Sequence, residues 1–373
     1  MKHEKHYLAL LSKYTNQFPN FAPHHLKTTL VLLSCILVKE TVNLNKLKNH
    51  VGIFLGVESR EVNSHYKRLT RYFLDTYVQR YLWKYLLSFS FYHFFSQIQF
   101  KKRIFYMAMD GSVWKFGQHT YHVLVLSLVY ETIAIPIFWI NLEKKGVSSF
   151  SERKKLLRSA LFLYPFLKRF TLLADREYKG KEWFTYLEKE GYTYIIRLCK
   201  GDYNLYIKSY YSLLKQAKAR KVTSQLIQSQ FVVKGKVIVI YDKTAKKESE
   251  KFIILLTNKW KASANKISAA YRIRWKIECL FKHLKTNGFN IEQVGMKNDK
   301  KVRVLFTLVV VAYLMCLTEG VKRKLKPKKD NDSFYESVFR IGYSKTVLQV
   351  YQLETISRKI TSITRQNNKT NSS

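Results

Sequence analysis

The order of strand-like and helix-like segments between residues 104 and 198 constrains the fold of this chain most strongly. Hydrophobic periodicity and turn residues predict the order β-β-β-α-β-α-β, at Ile104–Met109, Tyr121–Val129, Thr132–Leu142, 150–164, Arg169–Ala174, Lys181–Glu190 and Tyr192–Leu198. A capping box from Ser149 to Glu152 marks the start of the first helix, and Pro165 ends it. Pro136 restricts the third strand to a sheet edge or a bulge. Strands that alternate with helices predict an α/β domain.

This order of elements predicts an RNase H-like domain, in which a mixed five-stranded sheet of three antiparallel and two parallel strands is flanked by helices. We predict the domain over residues 101–290, with an insertion at about 200–264 that contains a helix (Tyr203–Lys215) and two β-rich runs (Phe231–Tyr241 and Phe252–Thr257). Residues 1–100 are predicted to form a helical DNA-binding region. Residues 291–373 are predicted to form a helical C-terminal region with a disordered tail.

The N-terminal region contains a pattern typical of a helix-turn-helix. Helices are predicted over Leu26–Lys39 and Leu44–Leu55, with Gly56 ending the second, and a third helix is predicted from Glu58 to Leu74. One face of the third helix repeats polar and basic residues, namely Arg60, Asn63, Lys67 and Arg71. This stripe predicts contact with a DNA groove. The alternative is an ordinary solvated helix face in a lysine-rich protein.

The chain is strongly basic, with 66 Lys and Arg residues against 26 Asp and Glu and a formal charge of +40 over 373 residues. Such an imbalance opposes compaction unless a polyanion supplies the counter-charge, so nucleic acid is the predicted partner. An anionic membrane is the competing partner. However, the longest apolar run, Val304–Leu317, has 14 residues, fewer than the roughly 20 that a membrane-spanning helix needs. We therefore predict a buried core helix there and no membrane association.

Cysteine and histidine usage predicts neither a disulfide framework nor a zinc site. The cysteines lie far apart in apolar surroundings, at Cys35, Cys199, Cys279 and Cys316. The ten histidines show no zinc spacing, and a Gly-rich phosphate loop is missing. Residues 1–5 lack the apolar segment of a signal peptide. These features predict a reduced, cytosolic protein.

Residues 271–285 are predicted to lie within one long helix, capped by Asn265 and ended by a left-handed turn at Asn287-Gly288. On a wheel of about 100° per residue, a stripe roughly 60° wide contains Tyr271, Arg274, Glu278 and Lys285. An apolar stripe centred roughly 110° away contains Ile273, Ile277, Leu280, Phe281 and Leu284. The helix is thus predicted to pack one face on a core and to expose the other. The alternative is a surface helix on which Arg274 and Glu278 form an ordinary i,i+4 pair.

Two aspartates follow predicted apolar strands, where an ionised side chain is costly unless a metal or a base meets it. Asp110 follows the first strand and Asp175 the fourth. Together with Glu278 they form a set of hard oxygen donors that suits two Mg²⁺ or Mn²⁺ ions about 3.5–4 Å apart. Asp242 is a rival for the second position because it also follows an apolar strand, Val237–Tyr241. We prefer Asp175, because a helix and a strand follow it as the fold requires.

The pattern in the 271–285 helix resembles the signature of DDE transposases of the insertion-sequence-four family, Tyr271-x(2)-Arg274-x(3)-Glu278-x(6)-Lys285. Two further segments, Asp110-Gly111-Ser112 and Asp175-Arg176, resemble the other two blocks of that family. The resemblance covers residues 100–290 well, the N-terminal helices loosely and the C-terminus hardly at all. It implies a bacterial, cytoplasmic, nucleoid-associated transposase that cuts transposon ends and joins them to target DNA.

The resemblance also assigns roles to individual residues. The implied metal ligands and catalytic residues are Asp110, Asp175 and Glu278, with two Mg²⁺ or Mn²⁺ ions as cofactors. The implied contacts to double-stranded DNA near the scissile bond are Tyr271, Arg274 and Lys285. A homodimer is implied, because two transposon ends must be held together. Two alternatives stay open: an RNase H-like nuclease or resolvase, which needs the acids alone, and a non-catalytic DNA-binding protein, which needs only the charge and the helix-turn-helix.

Overall fold

The structure is a computed structural model, and it describes residues 22–55, 62–97, 105–142, 144, 146–199, 210–229, 231–247, 250–322 and 337–352. Its internal contacts divide the chain into two compact units. The first, which we call the helical unit, comprises Met1–Lys102, Lys115–His119 and Lys282–Ser373. The second, which we call the sheet unit, comprises Arg103–Trp114 and Thr120–Phe281.

Helices occur in both units. In chain order they are α1 (Pro23–Lys39), α2 (Leu44–Leu55), α3 (Val62–Leu74), α4 (Trp83–Gln97), α5 (Phe150–Leu163), α6 (Lys181–Lys189), α7 (Tyr210–Arg220), α8 (Ala264–Arg272), α9 (Trp275–Leu284) and α10 (Asp299–Lys322). Residues 338–352 are also helical. Shorter turns are a π-helical one at Val78–Leu82 and 3-10 turns at Pro165–Arg169 and Ile291–Gln293.

The α10 helix is the centre of the helical unit, where it packs against α1 and α4. Its residues are buried along almost the whole length, so the core helix predicted around Val304–Leu317 is confirmed. By length and composition α10 could cross a membrane, but 89% of its most apolar window is buried inside the protein. A helix that is apolar on every side is stabilised by packing on all of those sides.

Helical residues 338–352 cross α10 at a very close approach. A Cβ atom at Gly342 would overlap the carbonyl oxygen of Cys316, and one at Gly320 would overlap the carbonyl oxygen of Val338. Because glycine has no Cβ, the two backbones can touch directly at this crossing. The hydroxyl of Thr346 and the hydroxyl of Tyr343 lie on the same helical segment and are both hydrogen-bonded to backbone carbonyls.

The predicted helix-turn-helix corresponds to α2 and α3, which pack against each other. The bounds of α2 match the prediction, and α3 ends at Leu74 as predicted. The segment between the two helices, with Gly56 and Arg60, lies outside the described residues. Asn63, Lys67 and Arg71 are exposed on α3, whereas its opposite face is buried.

The described residues form one sheet of eight strands, so the predicted number of five is wrong. They are β1 (Tyr106–Phe116), β2 (His119–Tyr130), β3 (Ile133–Asn141), β4 (Thr171–Ala174), β5 (Tyr194–Leu198), β6 (Val222–Ile227), β7 (Gly235–Tyr241) and β8 (Phe252–Thr257). The sheet order is β3-β2-β1-β4-β5-β8-β7-β6. Its first five members are the predicted strands, and β4 runs parallel to both β1 and β5.

The extra strands come from the insertion. β8 pairs antiparallel with β5, and β7 and β6 continue the sheet from there. An edge strand leaves backbone N–H and C=O groups unpaired, so β5 offers a template that the apolar β8 fills. The β6 strand was not predicted, and the insertion helix is α7 rather than Tyr203–Lys215, whose first residues lie outside the described part of the chain.

Two local features of the sheet unit agree with the sequence predictions, the capping box and the position of Pro136. Ser149 Oγ accepts a hydrogen bond from the Glu152 amide, and the Glu152 carboxylate accepts one from the Ser149 amide, so the capping box is confirmed. β3 is an edge strand, and a register shift lies beside Pro136, as its missing N–H requires. β1, however, does not end at Met109 but continues through Asp110 to Phe116.

The predicted continuous helix over residues 271–285 is broken in two. α8 ends at Arg272, α9 begins at Trp275, and the intervening amides form i→i+3 bonds, such as Arg274 N to Tyr271 O at 3.0 Å. The N-cap of α8 is Ser263, not Asn265, because the Ser263 hydroxyl accepts a bond from the Lys266 amide. The left-handed residue after α9 is Asn290, with φ of 49°, rather than Gly288.

Candidate active site

The register of the sheet brings two predicted site residues together. Met109 of β1 lies opposite Ala174 of β4, and the two strands are parallel. Asp110 and Asp175 are the next residue on each strand, so their backbones are neighbours at about the 4.8 Å spacing of paired strands. Strand order and register therefore place the two aspartates next to each other at this edge of the sheet.

The same sheet order separates the rival aspartate from this pair. Asp242 follows β7, which lies three strand positions from β4 and therefore at least roughly 14 Å away. Its Oδ1 accepts bonds from the amide of Thr244 at 2.9 Å and from the hydroxyl of Thr244 at 2.6 Å. Asp242 thus stabilises the turn that leads out of β7.

One guanidinium group connects the three predicted acids. Arg274 Nη1 donates to Asp110 Oδ2 at 3.1 Å, and Nη2 donates to Glu278 Oε1 at 2.6 Å. The same Nη2 lies 4.0 Å from Asp175 Oδ2. Arg274 stands in the tight turn between α8 and α9, and Glu278 in the first turn of α9. Carboxylates from two strands and one helix therefore converge on a single cation.

The expectation that Tyr271 and Arg274 are exposed is wrong, because each is only 8% exposed. Tyr271 belongs to the core that α8 forms with the sheet, and its hydroxyl donates to Asp175 Oδ1 at 3.4 Å. Lys285 is half-buried in the helical unit, where its Nζ lies 3.2 Å from Glu292 Oε1. Tyr271 and Arg274 share one face as predicted, but that face meets the carboxylates of Asp175 and Asp110 instead of solvent.

Asp175 also meets groups that the sequence did not suggest. The Arg176 amide donates to its Oδ1 at 2.8 Å, and Arg197 Nη1 of β5 lies 3.9 Å from the same oxygen. Arg197 is one residue before the end of β5, the parallel neighbour of β4. Its place at the carboxyl end of the adjacent parallel strand is a signal that could have identified it.

A buried arginine holds the loop after β4 in place. Arg153 of α5 is 6% exposed, and its Nη2 donates to the carbonyl oxygens of Glu177 at 2.9 Å and Ser148 at 2.6 Å, while Nη1 donates to Lys179 O at 3.2 Å. Gly180, with φ of 132°, ends the loop in a conformation that side chains disfavour. The loop that carries Asp175 is therefore built as a rigid segment. Arg153 was missed, since its partners are backbone carbonyls that leave no sequence signal.

Burial dominates the electrostatics of the site. It raises the pKa of Asp110 to about 7, against the opposing effects of Arg274 and of the Gly111 amide, which donates to Oδ1 at 2.9 Å. Glu177 and Asp175 raise the pKa of Asp110 further. For Arg274, burial lowers the pKa, but the negative groups around it more than reverse this effect. The guanidinium therefore stays charged, while Asp110 is poised to lose or gain a proton.

This pKa predicts a pH-dependent effect of Asp110→Asn on stability. A carboxyl whose folded pKa is raised from 3.8 to about 7 favours folding at low pH, and this contribution is lost as pH rises through about 7. In EDTA, Asp110→Asn should therefore raise the free energy of unfolding by about 1–2 kcal/mol more at about pH 8 than at about pH 5, because the contribution is lost between about pH 4 and pH 7. Thermal unfolding at both pH values measures this difference. Equal effects at the two values would contradict the raised pKa.

The acids fit a divalent cation by their chemistry. Among the residues that the structure describes, no group of three or more His, Cys, Asp or Glu side chains is arranged to hold a metal. Arg274 instead lies between the three acids and offsets part of their charge. Asp110, Asp175 and Glu278 offer the hard oxygen donors that Mg²⁺ and Mn²⁺ prefer. Because they already face one shared positive charge, a divalent cation would compete with Arg274 for them.

Comparison with known protein families agrees with this geometry. A family model described as "Transposase DDE domain" matches residues 101–315, which is more than half of the chain. The match includes all three acids, both arginines that contact Asp175, and the whole insertion. A search of curated proteins found no match.

Proposed function

Because the chain belongs to the family of transposase DDE domains, we propose that it binds the ends of an insertion sequence and catalyses metal-dependent strand cleavage and strand transfer. Membership makes the chain a transposase and implies an RNase H-like fold. The observation that carries the finer proposal is the convergence of Asp110, Asp175 and Glu278 on Arg274. Holding three acids around one buried cation is costly, because charged groups lose their hydration on burial, and this supports a function that requires the three acids together.

We propose Asp110, Asp175 and Glu278 as the catalytic residues and as the ligands of two divalent cations, Mg²⁺ or Mn²⁺. Family members generally use divalent metal ions. When bound, such ions activate an attacking oxygen and stabilise the leaving oxygen of a phosphodiester. Within the chain, Arg197 and the Arg176 amide orient the Asp175 carboxylate, and the Arg153 contacts keep its loop rigid.

Arg274 is proposed to change partners during the reaction. Its fork matches the geometry of a phosphate as well as that of a carboxylate. Cations bound to the acids would compete for their oxygens, which would leave the guanidinium available to DNA phosphates near the scissile bond. Tyr271 and Lys285 are proposed to contact the same DNA strand.

Other DNA contacts are proposed for the α3 stripe of Arg60, Asn63, Lys67 and Arg71, of which the three described members are exposed. The partner is double-stranded DNA, both transposon ends and target, and a homodimer would hold two ends. The membership in the insertion-sequence-four family, the helix-turn-helix and a bacterial, nucleoid-associated location belong to the same proposal.

The test is Mg²⁺-dependent cleavage and joining of labelled DNA that carries the terminal sequences of the element. Joined products that form with Mg²⁺ or Mn²⁺ and are lost in EDTA are expected. Cutting without joining would indicate a nuclease or resolvase. Binding without cutting, in the presence of either metal, would indicate a DNA-binding protein without catalysis.

The net charge of +40 predicts a steep salt dependence of DNA binding. Bound phosphates release condensed counterions, so the logarithm of the binding constant should fall linearly with the logarithm of the salt concentration, by about 0.9 for each phosphate contact. Fluorescence anisotropy with a random duplex across a salt series measures this slope. A binding constant that stays flat would exclude the phosphate backbone as the main partner.

A further inference from the structure

The helical unit contains a cavity of about 440 Å³ that the proposed reaction does not use. One wall comes from α3, through Tyr66, Thr70 and Phe73. The other lining residues come from the start of α2 and the residue before it, from the start of α10 and the residues before it, and from Phe116. We call it the α3 cavity. Its volume lies within the range of about 300–1,000 Å³ that is typical of small-molecule sites.

The α3 cavity is positively charged. Lys297 and Lys301 line it, and acidic side chains are missing from its described lining. The first-turn amides of α2 and α10 are not the source of this charge, because asparagine side chains already bind them. Asn43 Oδ1 accepts from Asn45 N at 3.0 Å, and Asn298 Oδ1 accepts from Lys300 N at 3.0 Å. Lysine ammonium groups therefore set the preference for an anion.

The two asparagines add hydrogen-bond donors to this charge. Each Oδ1 is occupied by a backbone amide, so the remaining capacity of Asn43 and of Asn298 is chiefly that of their Nδ2 donors. Ammonium groups and amide donors together match a phosphate, which has acceptor oxygens and a negative charge. A neutral apolar ligand would leave all of these groups without partners.

Aromatic rings also line the α3 cavity, from Tyr66, Phe73 and Phe116. Phe73 is 1% exposed, whereas Phe116 is 40% exposed and lies against Gly295. Nucleobases stack on aromatic rings irrespective of sequence. In a duplex both faces of a base are covered by its neighbours, so only an unpaired base can use such a ring.

We propose that the α3 cavity binds one unpaired nucleotide of a DNA strand. Lys297 and Lys301 bind its phosphate, and Phe116 and Tyr66 contact its base. This assignment rests on the proposed function in one respect, namely that the nucleic acid is DNA. Tyr66 and Thr70 lie only about 20–60° around α3 from Asn63, so the cavity and the α3 stripe adjoin on the helix surface.

The test uses a short duplex with a single-stranded extension that carries 5-iodouracil, beside the same duplex with a blunt end. After irradiation, mass spectrometry identifies the crosslinked residues. We expect Tyr66 or Phe116 to be crosslinked by the extended duplex and not by the blunt one. An identical extension made of RNA forms the third arm.

A binding measurement with two charge-matched variants accompanies the crosslinking. The double variant Lys297→Ala/Lys301→Ala should weaken binding of the extended duplex about tenfold more than binding of the blunt duplex, and Phe116→Ala should act in the same direction. The control, Lys243→Ala/Lys246→Ala in the exposed turn after β7, removes the same charge and should weaken both duplexes equally. Thermal unfolding of each variant verifies the fold.

Each outcome separates this proposal from the proposed function. Crosslinks confined to other residues, with end cleavage intact, would overturn the nucleotide site and leave the transposase mechanism standing. Crosslinks at Tyr66 or Phe116 with the RNA extension alone would overturn the assignment to DNA. Crosslinks at these residues in a protein that neither cuts nor joins DNA would support the site and remove the catalytic proposal.

Discussion

Asp175→Asn loses strand cleavage and joining, by at least about a thousandfold, while DNA binding stays intact; this is the largest effect we expect. Divalent cations held by the three acids would supply several kcal/mol of charge stabilisation to the reaction, and replacing one carboxylate by a neutral amide would remove much of it. Asp110→Asn and Glu278→Gln should behave alike. The assay follows cleavage and joining of labelled transposon ends with Mg²⁺, beside anisotropy for binding.

Asp242→Asn is the matched control for this prediction. It makes the same chemical change at the end of another strand of the same sheet, but the Asp242 Oδ1 accepts bonds from the amide and the hydroxyl of the turn residue Thr244. Full activity is expected. Loss of activity in Asp242→Asn together with full activity in Asp175→Asn would move the second ligand into the insertion and overturn the proposed site.

Arg274→Gln should lower the free energy of unfolding by about 3 kcal/mol when metal is absent. Removing one partner of a buried ion pair leaves the other charges without compensation, and here three carboxylates would face one another. Mg²⁺ should restore part of this stability, because a cation that binds the folded state stabilises it. Thermal unfolding across a Mg²⁺ titration should therefore show a larger shift for Arg274→Gln than for the unchanged protein.

Arg274→Lys keeps the charge but loses the planar fork, so we expect it to lower the free energy of unfolding by less than Arg274→Gln does. The control is Arg158→Gln on α5, where Arg158 is exposed and its Nη2 lies 3.7 Å from Glu190; replacement there should cost less than about 0.5 kcal/mol. If Arg274→Gln unfolds no earlier than the unchanged protein and gains nothing from Mg²⁺, the guanidinium does not hold the acids together. Leu280→Ala, at a fully buried position, should lower the free energy of unfolding by about 2–5 kcal/mol both with and without Mg²⁺.

The placement of Arg274 reverses the expectation from its helical stripe. A helical wheel assumes one axis, and on one axis Arg274 and Leu280 point in different directions. In the structure the face that carries Arg274 does not meet solvent, because its guanidinium donates to Asp110 and Glu278 and the residue is only 8% exposed. The expectation that Arg274 is exposed is therefore wrong, whereas the burial expected of Ile277 and Leu280 is confirmed.

Features governed by neighbouring residues were available from the sequence alone. The capping box at Ser149 and Glu152, the edge position of Pro136 and the order of the first five strands all depend on local hydrogen bonding or on chain order. Asp110 and Asp175 were predicted in the same way, because a carboxylate at the end of an apolar strand is unusual wherever the strand lies.

Only the tertiary structure decided which distant groups meet. It set β8 against β5, left Asp242 three strands from β4, and brought Arg153 to the carbonyls of the loop that carries Asp175. Every residue has a backbone carbonyl, and every edge strand has unpaired backbone groups, whatever the sequence. A residue pattern therefore does not predict which side chain or strand will pair with them. The contact of Arg274 with three acids also could not be predicted from the sequence, because it depends on where two strands and an interrupted helix meet in space.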